Sequence, residues 1–181
     1  MCPNTDGPVG ATTGPLVFLP LELDRSTLMM APWSSVLVLY AHVLSFMLTY
    51  AAVAAEYALL RGPVDAPTVR SLGTADLVYG AAAIGVFGTG VLQVLYFGKG
   101  LNYYLHSPLL WTKVGLFTGV GIASIYPTVT ILRWQSRLEE KDETAISPPA
   151  SLRRRLRQLI RVELGLLTLL PLLGSALHYG P

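Results

Sequence analysis

Charge is what this sequence has least of. Only 13% of its 181 residues are Asp, Glu, Lys or Arg, against about 25% in an ordinary soluble domain. Cysteine is nearly absent too. The single one, Cys2, cannot form an internal disulfide, and the Cys/His spacings of a zinc site do not occur. There is no P-loop, GxSxG, HExxH or CxxC, so the common soluble-enzyme signatures are missing. GVFGTG at residues 85–90 sits inside a long apolar run and reads as helix packing, not a nucleotide loop. No alternating ten-residue pattern points to a membrane barrel.

Apolar residues make up 52% of the chain, and the mean hydropathy is +0.50. Four segments reach the length of about 20 residues that a bilayer crossing needs: residues 34–60, 75–97, 109–132 and 159–179. Each should be helical, because a spanning segment must satisfy its own backbone hydrogen bonds. The expected architecture is therefore an all-α membrane protein, a compact antiparallel four-helix bundle formed by residues 33–181. Residues 1–32 stand apart. They hold Pro3, Pro8, Pro15 and Pro20 among several glycines and lack the basic start and unbroken apolar core of a secretory signal. They read as a disordered or surface-lying extension, or as residues ahead of a true start at Met29 or Met30.

Loop charges set the orientation. Arg61 and Arg70 follow the first span. Arg133, Arg137, Lys141, Arg153, Arg154, Arg155 and Arg157 follow the third, whereas only Arg25 and Lys99 fall on the other side. Both basic loops should be cytoplasmic and both termini outside. The stretch SLRRRLRQLIR anchors this topology, and its leucine stripe suits the anionic inner leaflet. Four arginines beside a span are not a nucleic-acid footprint.

Small residues suggest where helices approach closely: Gly115 and Gly119 in a GxxxG, Ala81, Gly85, Gly88 and Gly90, and Ala51 and Ala55. Pro171 should kink the last span, with Thr168 able to satisfy part of the disturbed backbone.

Ionisable residues inside spans are costly and mark candidate sites. His42 lies ~12 Å below the start of the first span, and Gln93 and Lys113 each lie ~6 Å from the same outer surface, at 1.5 Å per residue. Three helices thus place His42, Gln93 and Lys113 in one layer, which Tyr96, Asn102, Tyr103, Tyr104, His106 and Trp111 could roof. The plainer readings are snorkelling of Lys113 to headgroups and an interhelical hydrogen bond for His42. A second layer lies toward the cytoplasm. Glu56, Asp76, Arg161 and Glu163, with Arg61 and Arg70, could form an ion-pair clamp, or Glu56 could feed a proton path toward His42.

The segments LYAHVLSFMLTYAAVAAEYALLR, ADLVYG and FGKGLNYYLHSPLLWTK resemble a family of bacterial membrane proteins, DUF 2214. That resemblance spans about residues 34–178 and implies a multi-pass protein of the bacterial inner membrane, with no assigned activity. Gln93 stands where that family commonly carries a basic residue. More distantly, YAHVLSFM and WTKVGLF are similar to the histidine-bearing and lysine-bearing helices of HemJ, the membrane protoporphyrinogen oxidase family. That likeness implies haem b, with His42 as iron ligand, Lys113 as second ligand or propionate partner, and Gln93 beside them. Neutral imidazole ligates haem iron well, and helix bundles commonly hold cofactors between facing helices.

Three functional readings follow: haem-linked redox chemistry, a non-enzymatic membrane subunit or scaffold, and a proton or ion conductor using Glu56 and His42. The expected partners are the bilayer and either a second copy or another membrane subunit.

Overall fold

The structure is a computed structural model that describes residues 25–97, 101–141 and 148–179. Four long helices dominate it: α1 (Arg25–Leu59), α2 (Ala66–Leu92), α4 (Pro108–Lys141) and α5 (Ala150–Tyr179), with a short α3 (Leu101–Leu105) before α4. A π-helical turn, Gln93–Phe97, continues α2. No strand occurs among the described residues, so the all-α expectation holds. Three stretches are long and apolar enough to cross a membrane: Trp33–Leu59, Ala66–Phe97 and Pro108–Glu140. The fourth expected span, 159–179, forms the apolar part of α5, whose first half also carries Arg153, Arg154, Arg155, Arg157, Arg161 and Glu163. Of the expected N-terminal extension, residues 1–24 lie outside the described residues, and α1 takes in residues 25–32.

The helices overrun the apolar segments because local signals carry them on. Asp65 caps α2, accepting from the Thr68 backbone N–H, and a proline stands in the first turn. Such a start satisfies an otherwise orphaned donor. It lets α2 begin at Ala66, ahead of the segment expected at 75–97. At the far end of α4 the charged run RWQSRLEEK stays helical, since Arg, Gln, Leu, Glu and Lys are all strong helix formers.

Helices α1 and α2 form an antiparallel hairpin. His42 meets Thr89, and one turn further along, Ser45 lies against Gly85. Helix α4 reaches α2 through Thr128 and Asp76. Helix α5 reaches α4 where Arg155 stacks over Tyr126 and where Lys113 meets Gly174. It reaches α1 through Arg161 and Tyr57.

Packing is uneven along the helices. At the basic end, Leu60, Leu72, Ile131, Trp134, Leu156 and Ile160 form a closed core, none more than 4% exposed. At the opposite end, no described residue is buried in α1 before Thr49, in α2 after Val86, in α4 before Val120 or in α5 after Leu170. Burial among the described residues is thus concentrated at the basic end.

The outer faces are apolar. Ile84, Leu77, Leu172 and Ile122 are each at least 65% exposed, as side chains facing lipid should be. Gly115 and Gly119 have open space where a Cβ would sit, so this GxxxG packs against no helix among the described residues. The close approaches are elsewhere. A Cβ on Gly85 would fall 2.6 Å from Ser45 Oγ, and one on Gly73 would strike the Gln135 side chain. Pro171 lies inside α5, and the Thr168 hydroxyl donates to Leu164 O at 2.7 Å.

Candidate functional site

Helical spacing builds two facing polar stripes. On α1, His42, Ser45, Thr49 and Glu56 recur at the three- and four-residue intervals that share one face. On α2, Asp76, Tyr79, Thr89 and Gln93 do the same, with Val86 between them. The hairpin register that pairs His42 with Thr89 brings Glu56 level with Asp76. Helix α5 adds Glu163.

The result is a buried cluster of three carboxylates from three helices. Glu56 is 3% exposed, Asp76 8% and Glu163 1%. They are close enough to act on one another electrostatically: Asp76 and Glu163 on Glu56, and Asp76 on Glu163. Thr128 of α4 donates to Asp76 Oδ1 at 2.6 Å. Glu56 Oε1 and Glu163 Oε1 have no hydrogen-bond partner.

No basic residue neutralises the cluster, and the expected ion-pair clamp is absent among the described residues. Arg161 stands two residues before Glu163, and positions two apart do not share a helix face. It turns outward instead, donating from Nη2 to the Tyr57 hydroxyl at 3.0 Å. Arg61 lies over the same ring. Arg153 donates to Gly62 O at 3.2 Å. Arg70 lines a surface cleft with Gln135, Leu138 and Glu139.

At the opposite end the structure places the three residues singled out from the sequence. His42 Nδ1 is 2.9 Å from Thr89 Oγ1. The Thr89 hydroxyl gives its own hydrogen to Gly85 O. In the tautomer with the proton on Nδ1, His42 donates to Thr89 Oγ1 and Nε2 carries the lone pair. The ring rests on Gly90, whose Cβ would lie 3.5 Å from Cε1. Gln93 falls in the π-helical turn, and its Nε2 is buried without a partner. Lys113 is half-buried and points across to α5, its Nζ 3.4 Å from where a Gly174 Cβ would be. It also acts electrostatically on His42. The three residues share one end of the molecule, but no hydrogen bond joins them to one another among the described residues.

The expected roof over this layer is largely occupied with itself. Tyr103 and Tyr104 meet edge to face at 5.4 Å. His106 Nδ1 donates to Asn102 O, and Trp111 Nε1 donates to Leu105 O. Lys99 lies outside the described residues. No group of three His, Cys, Asp or Glu among the described residues is arranged to hold a metal ion.

Sequence reasoning missed Thr49, Tyr79, Ser124 and Thr128. Their signal was present but faint: Thr49 and Tyr79 continue faces marked by His42 and Asp76, and Ser124 and Thr128 follow Lys113 along α4. Thr49 is fully buried and Ser124 8% exposed.

Apolar side chains outside and carboxylates inside, with three helices long and apolar enough to cross a membrane among the described residues, mark a membrane protein. The chain belongs to the family described as predicted membrane protein, DUF2214, which it matches over residues 34–181. No curated protein and no solved structure matches it, so the likeness to HemJ rests on the two short patterns alone.

Proposed function

We propose that this is a proton-handling membrane protein, in which Glu56, Asp76 and Glu163 take up and release protons inside the helix bundle. One observation carries the reading: three carboxylates are buried together with no cation beside them among the described residues. An ionised carboxylate in an apolar interior is far costlier than a neutral one, and like charges sharing a site cannot all ionise. The cluster therefore holds at least one proton, and a proton shared among three acids on three helices is one that can move. Intramembrane acids of this kind recur in pumps and transporters. Protons suit the site better than a metal ion, because these side chains do not form a ligand cage.

In this reading all four long helices cross the inner membrane as an antiparallel bundle, with both termini outside. The excess of Lys and Arg in the two loops near Glu56 supports that orientation. Helix α5 as the fourth crossing is supported by its lipid-like outer face, where Val162, Leu169 and Leu172 are exposed.

The test is proton uptake into vesicles containing the purified protein, driven by a potassium diffusion potential and read by a pH-sensitive dye. Wild type should acidify the lumen faster than protein-free vesicles, and Glu56→Gln and Glu163→Gln should not. Wild-type uptake equal to that of empty vesicles defeats the proposal and leaves the acids as packing features of a membrane subunit or scaffold.

A second reading keeps haem b at the less buried end, with His42 as iron ligand and Lys113 and Gln93 beside it. Its support is the His42–Thr89 hydrogen bond. Metal-bound histidines usually have their other ring nitrogen held in this way, and the tautomer that donates from Nδ1 to Thr89 leaves Nε2 for the iron. Oxidised and dithionite-reduced visible spectra of protein made with ample haem decide it. A b-type spectrum lost in His42→Ala supports haem; featureless spectra remove it.

A further inference from the structure

Where the apolar surface of α1 and α5 ends, the two helices carry arginines toward one another. Two hydrogen bonds fix their register. Arg161 donates to the Tyr57 hydroxyl at 3.0 Å, and Arg153 donates to Gly62 O at 3.2 Å. The helices therefore run antiparallel here. Arg157 stands midway between Arg153 and Arg161, at four-residue spacing on the same face of α5, so it lies opposite the stretch from Tyr57 to Gly62. Arg61 belongs to that stretch. Its guanidinium lies over the Tyr57 ring at 5.9 Å, and that of Arg161 lies over the same ring at 5.7 Å. Arg61, Arg157 and Arg161 are thus gathered around one phenol.

No carboxylate among the described residues pairs with them. Glu56 and Glu163 are close in the chain to Tyr57 and Arg161, but they are buried at 3% and 1% exposure, whereas Arg61 and Arg161 are exposed. Asp65, the next acid after Arg61, is engaged by the Thr68 backbone and hydroxyl. The charge of the arginines is open to an anion from outside the chain. A guanidinium is a planar fork that matches phosphate oxygens in pairs. The bond to Tyr57 holds the Arg161 fork in place and uses only part of its donor set.

The level of the site fits a lipid. The apolar run of α1 stops at Leu60. On α5, Val162 follows directly on Arg161 and is 56% exposed. Headgroups should therefore lie beside these arginines. Toward the His42 end, the seam between the two helices is lined by small residues. Ala54 stands one turn from Tyr57, and Gly165 stands one turn from Arg161 with open space where a Cβ would lie. Such a channel has room for an acyl chain.

We infer that Arg61, Arg157 and Arg161, gathered around Tyr57, bind the phosphate of an anionic phospholipid, whose acyl chain follows the α1–α5 seam past Ala54 and Gly165. Basic pockets between spanning helices hold acidic headgroups in this way. The site is separate from the carboxylate cluster and does not depend on proton handling.

The experiment is native mass spectrometry of the protein in neutral detergent, titrated with phosphatidylglycerol or with phosphatidylcholine of the same acyl chains. Phosphatidylglycerol should be retained in preference. Arg61→Gln and Arg161→Gln should each weaken its retention about fivefold, the worth of one basic side chain near anionic lipid. Arg133→Gln on α4 and Arg155→Gln, whose side chain stacks on Tyr126, remove the same charge elsewhere at this end and should leave retention near the wild-type value. Arg61 touches the fold only through the Tyr57 ring, so Arg61→Gln supplies the test should Arg161→Gln fold poorly. Equal retention of the two lipids, or equal losses in all four variants, overturns the site and leaves a diffuse attraction. Labelled inorganic phosphate is added to the lipid-free protein as a further arm. Phosphate bound there and lost in Arg61→Gln, with no preference between the lipids, assigns the arginines to a soluble anion and overturns the lipid as occupant.

Discussion

The Thr128 hydroxyl on α4 donates to Asp76 Oδ1 on α2 at 2.6 Å, tying two helices together through a carboxylate that lies among like charges. Thr128→Val keeps the shape and deletes the donor. Leaving a buried acceptor unpaired costs about 1–3 kcal/mol. Detergent-purified Thr128→Val should therefore unfold at a lower temperature or denaturant concentration than wild type, and Thr128→Ser should restore most of the loss. A Thr128→Val protein as stable as wild type would show that Asp76 does not depend on this bond.

Among the described residues, Glu56 and Glu163 have no basic partner to lose. Removing one member of a true buried ion pair costs about 3–5 kcal/mol. Glu56→Gln and Glu163→Gln should instead leave the unfolding midpoint unchanged or raised, since each removes an acid from a crowded cluster. A drop in midpoint of the ion-pair size in either variant would mean that a cation sits beside these acids after all.

Glycine positions should divide sharply. Gly85→Ala forces a methyl group to within 2.6 Å of Ser45 Oγ, and overpacking of this kind costs about 1–3 kcal/mol. The double variant Ser45→Ala/Gly85→Ala should recover part of it, a coupling that a double-mutant cycle measures. Gly115→Ala and Gly119→Ala meet open space. In the isolated protein each should be neutral or gain up to about 1 kcal/mol from helix propensity.

Asp65 sits outside the spans, where the Thr68 side-chain and backbone hydrogen bonds hold its carboxyl below the ordinary carboxylate range. The folded state thus favours the ionised cap. The stability it adds is complete above the unfolded-state value of about 3.9 and is lost as the pH falls through the folded-state value. Asp65→Ala should lower the midpoint at neutral pH, with the gap from wild type narrowing as the solution is acidified. A gap independent of pH would assign the effect to something other than the cap. Circular dichroism melts across that range would read it.

The class of protein was legible in the residues themselves. Long apolar runs force helices because lipid offers the backbone no hydrogen bonds, and a helix-forming sequence carries those helices onward into charged ends. The face shared by His42, Ser45, Thr49 and Glu56 could also be read from spacing alone. What spacing cannot supply is the rotation of one helix against the next. Arg161 and Glu163 are near neighbours in the chain, yet one turns out to Tyr57 and the other turns in to the acids. A clamp and a cluster of buried acids can be drawn from the same stretch of chain and differ only in that rotation.

The sequence by itself determined an all-helical membrane protein and the order of its polar residues along each helix, because both follow from local hydrophobicity and a fixed rise per residue. Only the tertiary structure decided which of those residues meet. It put Gly85, and not Gly115 or Gly119, at a helix crossing. It buried Glu56, Asp76 and Glu163 together and left His42 and Lys113 at the less buried end. Those outcomes depend on the register and rotation of four helices packed together, a cooperative property that no single segment encodes.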